Sequence, residues 1–165
     1  MKKIKNLKIR NMALLACLSA AVLTGCNNNM TYHGINLEYD DDNQLNGGNV
    51  SFDGLKELKV IKFIDHATGV DTTRLVMIEH IHTPVAEFFD GDHYNYIDVK
   101  SGVTIYSRIT HRETENDLEI VDERAIKPYL LQNDDIKKEY TIDELIDLCD
   151  KVIIPDMENN KELTK

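Results

Sequence analysis

Two eight-residue stretches of this chain share one pattern and lie 33 positions apart. Residues 63–70 read FIDHATGV and residues 96–103 read YIDVKSGV, so each follows aromatic-Ile-Asp-x-x-(Thr/Ser)-Gly-Val. An aspartate carboxylate can accept hydrogen bonds from the backbone N–H groups of a turn, and glycine can adopt the positive φ that closes it. We therefore predict two strand–turn–strand hairpins in which Asp65 and Asp98 are turn residues. The alternative role of these carboxylates, as calcium ligands, lacks the spacing of an EF-hand loop.

The sequence around the repeat also favours β structure. From Leu55 onward, short runs of Val, Ile, Phe and Tyr alternate with turn signals. The dipeptide Asp90-Gly91 is typical of a tight hairpin. The predicted strands cover residues 57–65, 73–82, 85–89, 93–98, 103–110 and 117–122. The Asp-x-x-Thr-Gly-Val turn resembles that of short uncharacterised β proteins from Gram-positive bacteria, a resemblance that implies no activity.

The C-terminal part has the pattern of one amphipathic helix. Thr141 and Glu144 stand at the positions of a capping box. Apolar side chains then recur at helical spacing, at Ile142, Leu145, Ile146, Cys149 and Val152. Since proline cannot continue the hydrogen bonding of a helix interior, we expect the helix to end before Pro155. The predicted fold class is α+β: a small antiparallel β-meander with a C-terminal amphipathic helix packed on the sheet.

The first 26 residues have the layout of an export signal. Five basic residues and no acidic one precede an apolar run at residues 12–23. As a helix this run would span roughly 18 Å, less than the ~30 Å hydrocarbon core of a bilayer. The following Leu23-Thr24-Gly25-Cys26 resembles the lipobox of bacterial lipoproteins. The resemblance implies cleavage between Gly25 and Cys26, a diacylglyceryl group on the Cys26 sulfur, and a lipid-anchored protein on the extracellular face of the cell membrane.

Two other readings of this segment are a conventional cleavage site and a buried structural Cys26. If residues 1–25 are removed, 14 Lys+Arg remain against 29 Asp+Glu, a formal charge of −15. Such a surface repels phosphate backbones, which argues against nucleic-acid partners. Cys149 is then the one remaining free thiol, so we expect no intramolecular disulfide.

The mature chain is expected to begin with a flexible part. Residues 27–50 are rich in Asn, Asp and Gly, which predicts a polar tether between membrane and domain. The alternative is an edge strand in which Ile35, Leu37 and Tyr39 alternate with polar residues. The predicted organisation is a signal peptide at 1–25, a lipidated N-terminus and tether at 26–50, one α+β domain at 51–154 and a flexible tail at 155–165.

Histidine is the residue type in this sequence that gives the most support for a chemical function. His80 and His82 lie two apart on a predicted strand, so they share one face and could both reach a zinc or copper ion. The candidates for a third ligand are His66, His93, His111, Asp90 and Asp92. The alternative is that these are exposed histidines at a strand end that bind nothing, and no metal or cofactor is assigned from the sequence.

The other groups of residues give weaker support for a chemical function. The chain has no Gly-x-Ser-x-Gly elbow, Cys149 falls on the apolar face of a helix, and nothing in the sequence places Ser101 or Ser107 beside a base. The tyrosines Tyr94, Tyr96 and Tyr106 could form an aromatic strip, either for cross-strand packing or as a contact surface for peptide or glycan.

The sequence therefore favours a non-catalytic binding or interaction module, held at the cell envelope by lipid, with a protein or glycan partner. Three alternatives remain: a metal-binding surface lipoprotein that uses His80 and His82, a phage-related exclusion lipoprotein, and, with the least support, an exported hydrolase.

Overall fold

The computed structural model of the chain describes residues 28–83, 91–109, 117–132 and 136–159. The strands in these ranges are β1 Asn28–Tyr32, β2 Ile35–Tyr39, β3 Leu45–Ser51, β4 Leu58–Asp65, β5 Val70–Thr83, β6 Gly91–Asp98, β7 Thr104–Ile109, β8 Leu118–Ala125 and β9 Glu139–Thr141. The helical segments are a 3₁₀ turn at Gly54–Glu57, α1 Lys127–Leu130, α2 Ile142–Leu148 and α3 Ile154–Asn159, with a π-helical segment at Cys149–Ile153 between α2 and α3.

The strands form two antiparallel sheets. The smaller sheet has the order β1-β2-β3-β9, and the larger has the order β7-β6-β5-β4-β8. Four consecutive strands, β4 to β7, form the predicted meander, and β8 returns to pair with the outer side of β4. The predicted α+β class is therefore confirmed, with one further sheet in addition to the meander.

Both copies of the repeat form the predicted hairpin turns. Gly69 and Gly102 have φ values of 71° and 66°, and each donates its N–H to the carbonyl of the aspartate four residues earlier, at 2.6 and 2.8 Å. The two carboxylates differ. That of Asp65 accepts the N–H of Ala67 at 2.9 Å, whereas that of Asp98 accepts the Ser101 hydroxyl at 2.6 Å.

The remaining strand predictions are confirmed to within a few residues at their ends, with one exception that cannot be compared. The strand expected at 85–89 lies outside the described residues, as does Asp90, whereas Gly91 is the first residue of β6. β5 begins at Val70, directly after the first turn, and is longer than the predicted 73–82.

The prediction of a flexible tether is wrong for residues 28–50, which form β1, β2 and β3. Ile35 and Leu37 are fully buried, so the alternation considered as an alternative is present. The strand that carries it is nevertheless not an edge strand, because β2 lies between β1 and β3. Gly48, a residue typical of a linker, has a structural role here: a Cβ on it would lie 2.3 Å from the Asn36 carbonyl oxygen.

One hydrophobic core joins both sheets to the C-terminal helical region. Ile35 of β2, Leu58 at the start of β4 and Leu145 of α2 belong to the same buried cluster, and each is fully buried. The predicted domain start at residue 51 is therefore wrong, because the three strands before it contribute to the same core. Burial of this shared apolar surface is what stabilises short strands that would be marginal alone.

The C-terminal helix begins as predicted and ends later. Thr141 accepts the Glu144 N–H, and the Glu144 carboxylate accepts the Thr141 N–H, which completes the capping box. The helical conformation continues past Pro155 to Asn159, with the proline directly after the π-helical segment. The predicted tail at 155–165 is thus wrong up to residue 159.

The π-helical segment also changes which side chains face the core. The Ile154 N–H donates to the Cys149 carbonyl five residues earlier, which widens this turn by one residue. As a result Val152, predicted on the apolar face, is 46% exposed, while Ile153 is fully buried and Met157 is 3% exposed. Within the described ranges, none of the helices has the length and apolar character needed to cross a bilayer.

Candidate functional site

The larger sheet is apolar on both of its faces. Val60 of β4 and Met77 of β5 face the shared core, while their neighbours Ile61 and Val76 point the opposite way into a second cluster. Antiparallel sheets commonly have one face on the core and one in water. The second cluster is therefore the feature of this fold that most needs an explanation.

An open groove lies on this second face. Its volume is about 650 Å³, and its walls come from strands at the two ends of the sheet order. Tyr106 and Arg108 of β7 line one side, and Leu118, Ile120 and Glu123 of β8 line the other. Because β7 and β8 are the outer strands, the sheet must curl for both to line one groove. We call this concavity the β7–β8 groove.

The three predicted strip tyrosines do lie together on this face. The rings of Tyr96 and Tyr106 meet edge to face with their centroids 5.1 Å apart. Tyr96 is 5% exposed, and its burial raises the pKa of its phenol above the ordinary value. Tyr94 stacks on His80 at 4.7 Å, and the Arg108 guanidinium lies 5.2 Å from the Tyr94 ring centroid. The strip therefore contains one buried ring, that of Tyr96, and two partly buried rings, those of Tyr94 and Tyr106.

Charged groups of both signs stand at the rim. The Glu119 carboxylate lies 2.7 Å from His66 Nε2, and the Glu123 carboxylate lies 2.7 Å from the Lys59 ammonium. Glu119 and Glu123 both line the groove, and Arg108 is the cation that lines it. A ligand in the groove would therefore meet the Tyr96 and Tyr106 rings and charged groups at the margins.

The predicted pair of histidines extends the same face along β5. His80 and His82 both contact Asp92, which lies directly across from His82 on β6. His80 Nε2 is 3.1 Å and His82 Nδ1 is 2.8 Å from the same carboxylate oxygen, Oδ1. The hydrogen bonds from His82 and then His80 hold the pKa of Asp92 below its usual value. These contacts describe a hydrogen-bonded cluster at an exposed strand end.

The other candidate metal ligands do not join this cluster. His93 follows Asp92 on β6, so its side chain points to the opposite face of the sheet. His66 pairs with Glu119 at the groove rim, and His111 and Asp90 lie outside the described residues. Across the part of the chain that the structure describes, no three His, Cys, Asp or Glu side chains are arranged to hold a metal ion.

Possible nucleophiles are accounted for by other contacts. Cys149 is buried in the shared core, and burial raises the pKa of its thiol to about 12, so it is protonated at neutral pH. Ser101 donates its hydroxyl to Asp98, and Ser107 donates its hydroxyl to Asn95 at 2.8 Å. The lipobox residues, Leu23 to Cys26, lie outside the described residues, and the lipid on Cys26 stays a prediction.

The sequence reasoning missed the second apolar face, although a signal for it was present. β4 contains Val60-Ile61-Lys62-Phe63-Ile64 and β5 contains Leu75-Val76-Met77-Ile78, which are runs rather than alternations of apolar residues. Such runs are typical of strands buried on both faces. They predict that a second layer covers the sheet or that the sheet curls over itself, and this sheet curls.

Comparison with known proteins adds no relative. No protein-family model, no curated protein and no solved structure matches this chain. The function must therefore be argued from the groove and from the N-terminal sequence.

Proposed function

We propose that this protein is a non-catalytic binding module held on the extracellular face of the cell membrane by lipid on Cys26. Two features support this. The order of basic residues, short apolar run and Leu23-Thr24-Gly25-Cys26 supports the anchor. The β7–β8 groove supports the binding role, because a concave site where tyrosine rings meet a few charged side chains is typical of recognition sites.

An extended peptide segment of a protein partner fits the groove best. Among the described strands, β7 and β8 pair on one side only, so each presents a sheet edge beside the groove side chains it contributes. An added strand at such an edge gains main-chain hydrogen bonds, and its alternate side chains can reach the groove side chains. Glu119 and Glu123 at the rim, together with the acidic mature chain, favour a peptide that carries basic residues.

The anchor is tested in a bacterial host that lipidates exported proteins. We expect the intact mass to correspond to a chain that begins at Cys26 and carries a diacylglyceryl group. Cys26→Ser should leave the protein unprocessed or released into the medium. A membrane-bound protein with an unmodified Cys26 thiol would contradict the anchor.

The groove is tested by titration with an alternating valine–lysine peptide, followed by NMR. We expect shifts for residues of β7 and β8, and at least a severalfold weaker affinity for Glu119→Lys because a rim carboxylate is lost. Glu158→Lys, at an exposed position near the end of α3, is the matched control and should bind as the parent does. Binding of a chitin oligosaccharide instead of the peptide would assign the groove to a glycan and contradict the peptide proposal.

The alternatives receive less support. For the metal-binding role, His80, His82 and Asp92 are the candidate donors that lie together, and among the described residues no three such side chains are arranged to hold an ion. A phage-related exclusion role would use the same anchor and the same kind of protein contact, so it is a special case of the proposed module.

A further inference from the structure

We propose that the folded domain sits directly against the bilayer, with the β2–β3 loop and the hairpin turn at 98–103 toward the lipid headgroups. The turn between β1 and β2 then points away from the membrane. This orientation rests on the proposed lipid at Cys26, and it replaces the long tether that the sequence suggested.

Little chain separates the proposed lipid from the first strand. β1 begins at Asn28, which pairs with Tyr39 of β2. One residue, Asn27, separates Cys26 from Asn28, and the two Cα–Cα steps between them span at most about 7 Å. The tether expected from the sequence, a coil of ~24 residues, would instead reach about 25–30 Å. The anchor therefore holds the start of β1 close to the headgroups.

The β2–β3 loop lies at the same end of the smaller sheet as the start of β1. Tyr39 leads into the β2–β3 loop at residues 40–44, so this loop is next to the start of β1. The Tyr39 hydroxyl donates to the Val99 carbonyl at 2.9 Å, and the Leu45 N–H donates to the Lys100 carbonyl at 3.2 Å. The loop and the second hairpin turn are therefore adjacent, at the end of the smaller sheet where β1 begins.

The turn between β1 and β2 lies at the opposite end of the smaller sheet. β1 has five residues, so its far end lies about 14 Å from Asn28. There the turn at Gly34 packs on Gly54, since a Cβ on Gly54 would lie 2.8 Å from the Gly34 carbonyl oxygen. Asp53, which is exposed, directly precedes this contact. Asp41 in the β2–β3 loop and Asp53 thus mark the proximal and distal ends.

Electrostatic attraction does not bring the β2–β3 loop close to the membrane. The proximal loop contains three consecutive exposed aspartates, residues 40–42, and these are repelled by anionic headgroups. The covalent anchor alone would hold the loop near the lipid. A domain without lipid should accordingly show no affinity for vesicles.

The chain has no tryptophan, so a single introduced one reports on one position. We would place it by Asp41→Trp or by Asp53→Trp in the lipidated protein, bound to phosphatidylcholine vesicles that contain nitroxide-labelled headgroups. Quenching should be severalfold stronger for Asp41→Trp. A flexible linker of about 20 Gly and Ser residues, inserted after residue 27, should make the two values similar because it restores a reach of about 25 Å.

Equal quenching without the linker, or stronger quenching for Asp53→Trp, would overturn the orientation. Intact mass separates this result from a failure of the proposed function. A lipidated protein with equal quenching contradicts the orientation alone, whereas an unmodified Cys26 contradicts the anchor and the orientation with it.

Discussion

Gly69 and Gly102 occupy the same position in the two hairpin turns but have different surroundings. Both have positive φ, so an added Cβ strains the backbone in each. A Cβ on Gly69 would have no atom within 4 Å, whereas one on Gly102 would lie 3.0 Å from Tyr39 Cζ. Substitutions at these two glycines therefore separate the free-energy cost of backbone strain from the cost of displacing a packed side chain.

We expect Gly69→Ala to lower the free energy of unfolding by about 1 kcal/mol, from backbone strain alone. Gly102→Ala should cost roughly 1–3 kcal/mol more, because the tyrosine ring must also move. Urea unfolding of the two variants measures the difference. Equal losses would mean that the second turn does not pack on Tyr39 in solution.

Tyr39 also gives a prediction for alkaline pH. Burial, and then the charge of Asp98, raises the pKa of its phenol to about 12 from the ordinary 10.0. A raised pKa in the folded state means that the stabilisation is fully present below pH 10 and is lost as the pH rises from about 10 to about 12.

We therefore expect the melting temperature to fall over this pH range, and the fall to be smaller in Tyr39→Phe. At neutral pH the same variant should lose about 1 kcal/mol, because the hydrogen bond to Val99 is absent. Melting curves from pH 7 to pH 12 test both parts. An identical alkaline fall in the variant would assign the effect to other groups.

At the scale of elements, β2 distinguishes a folded N-terminal region from a tether. Leu37 is fully buried, whereas its neighbour Glu38 is exposed. Leu37→Ala should lower the free energy of unfolding by about 2–5 kcal/mol through lost contacts and a cavity. Glu38→Ala, the control at the adjacent position, should change it by less than about 0.5 kcal/mol. If residues 28–50 were a tether, both changes would be without effect in chemical denaturation.

The elements differ in how far the sequence alone predicts them. The start of α2 depends on Thr141 and Glu144, which are local neighbours, and both hairpin turns depend on eight contiguous residues. Val152 and Ile153, in contrast, cannot be distinguished by their spacing in the sequence. Either residue could continue the apolar stripe from Cys149, and the π-helical turn selects Ile153. That choice depends on the fit to the core rather than on local spacing.

At the scale of the whole molecule, the shared core predicts one cooperative transition. Residues of both sheets and of the C-terminal helical region belong to one buried cluster, so neither sheet can lose its packing independently. Urea transitions followed by far-UV circular dichroism and by the near-UV signal of the tyrosines should therefore coincide. Two separate midpoints would indicate that the smaller sheet, or the groove face, unfolds by itself.

The sequence by itself determined the parts of this protein that depend on neighbours along the chain. These are the two turns around Asp65 and Asp98, the capped start of α2, the α+β class and the expectation of lipid at Cys26. Tertiary structure decided the rest. Residues 28–51 contain short strands with glycine and asparagine, and they become ordered because Ile35 and Leu37 are buried by distant parts of the chain. The groove likewise exists only because the sheet curls and brings β7 and β8 together. Both results require contacts between residues far apart in sequence, and local propensity and periodicity do not contain that information.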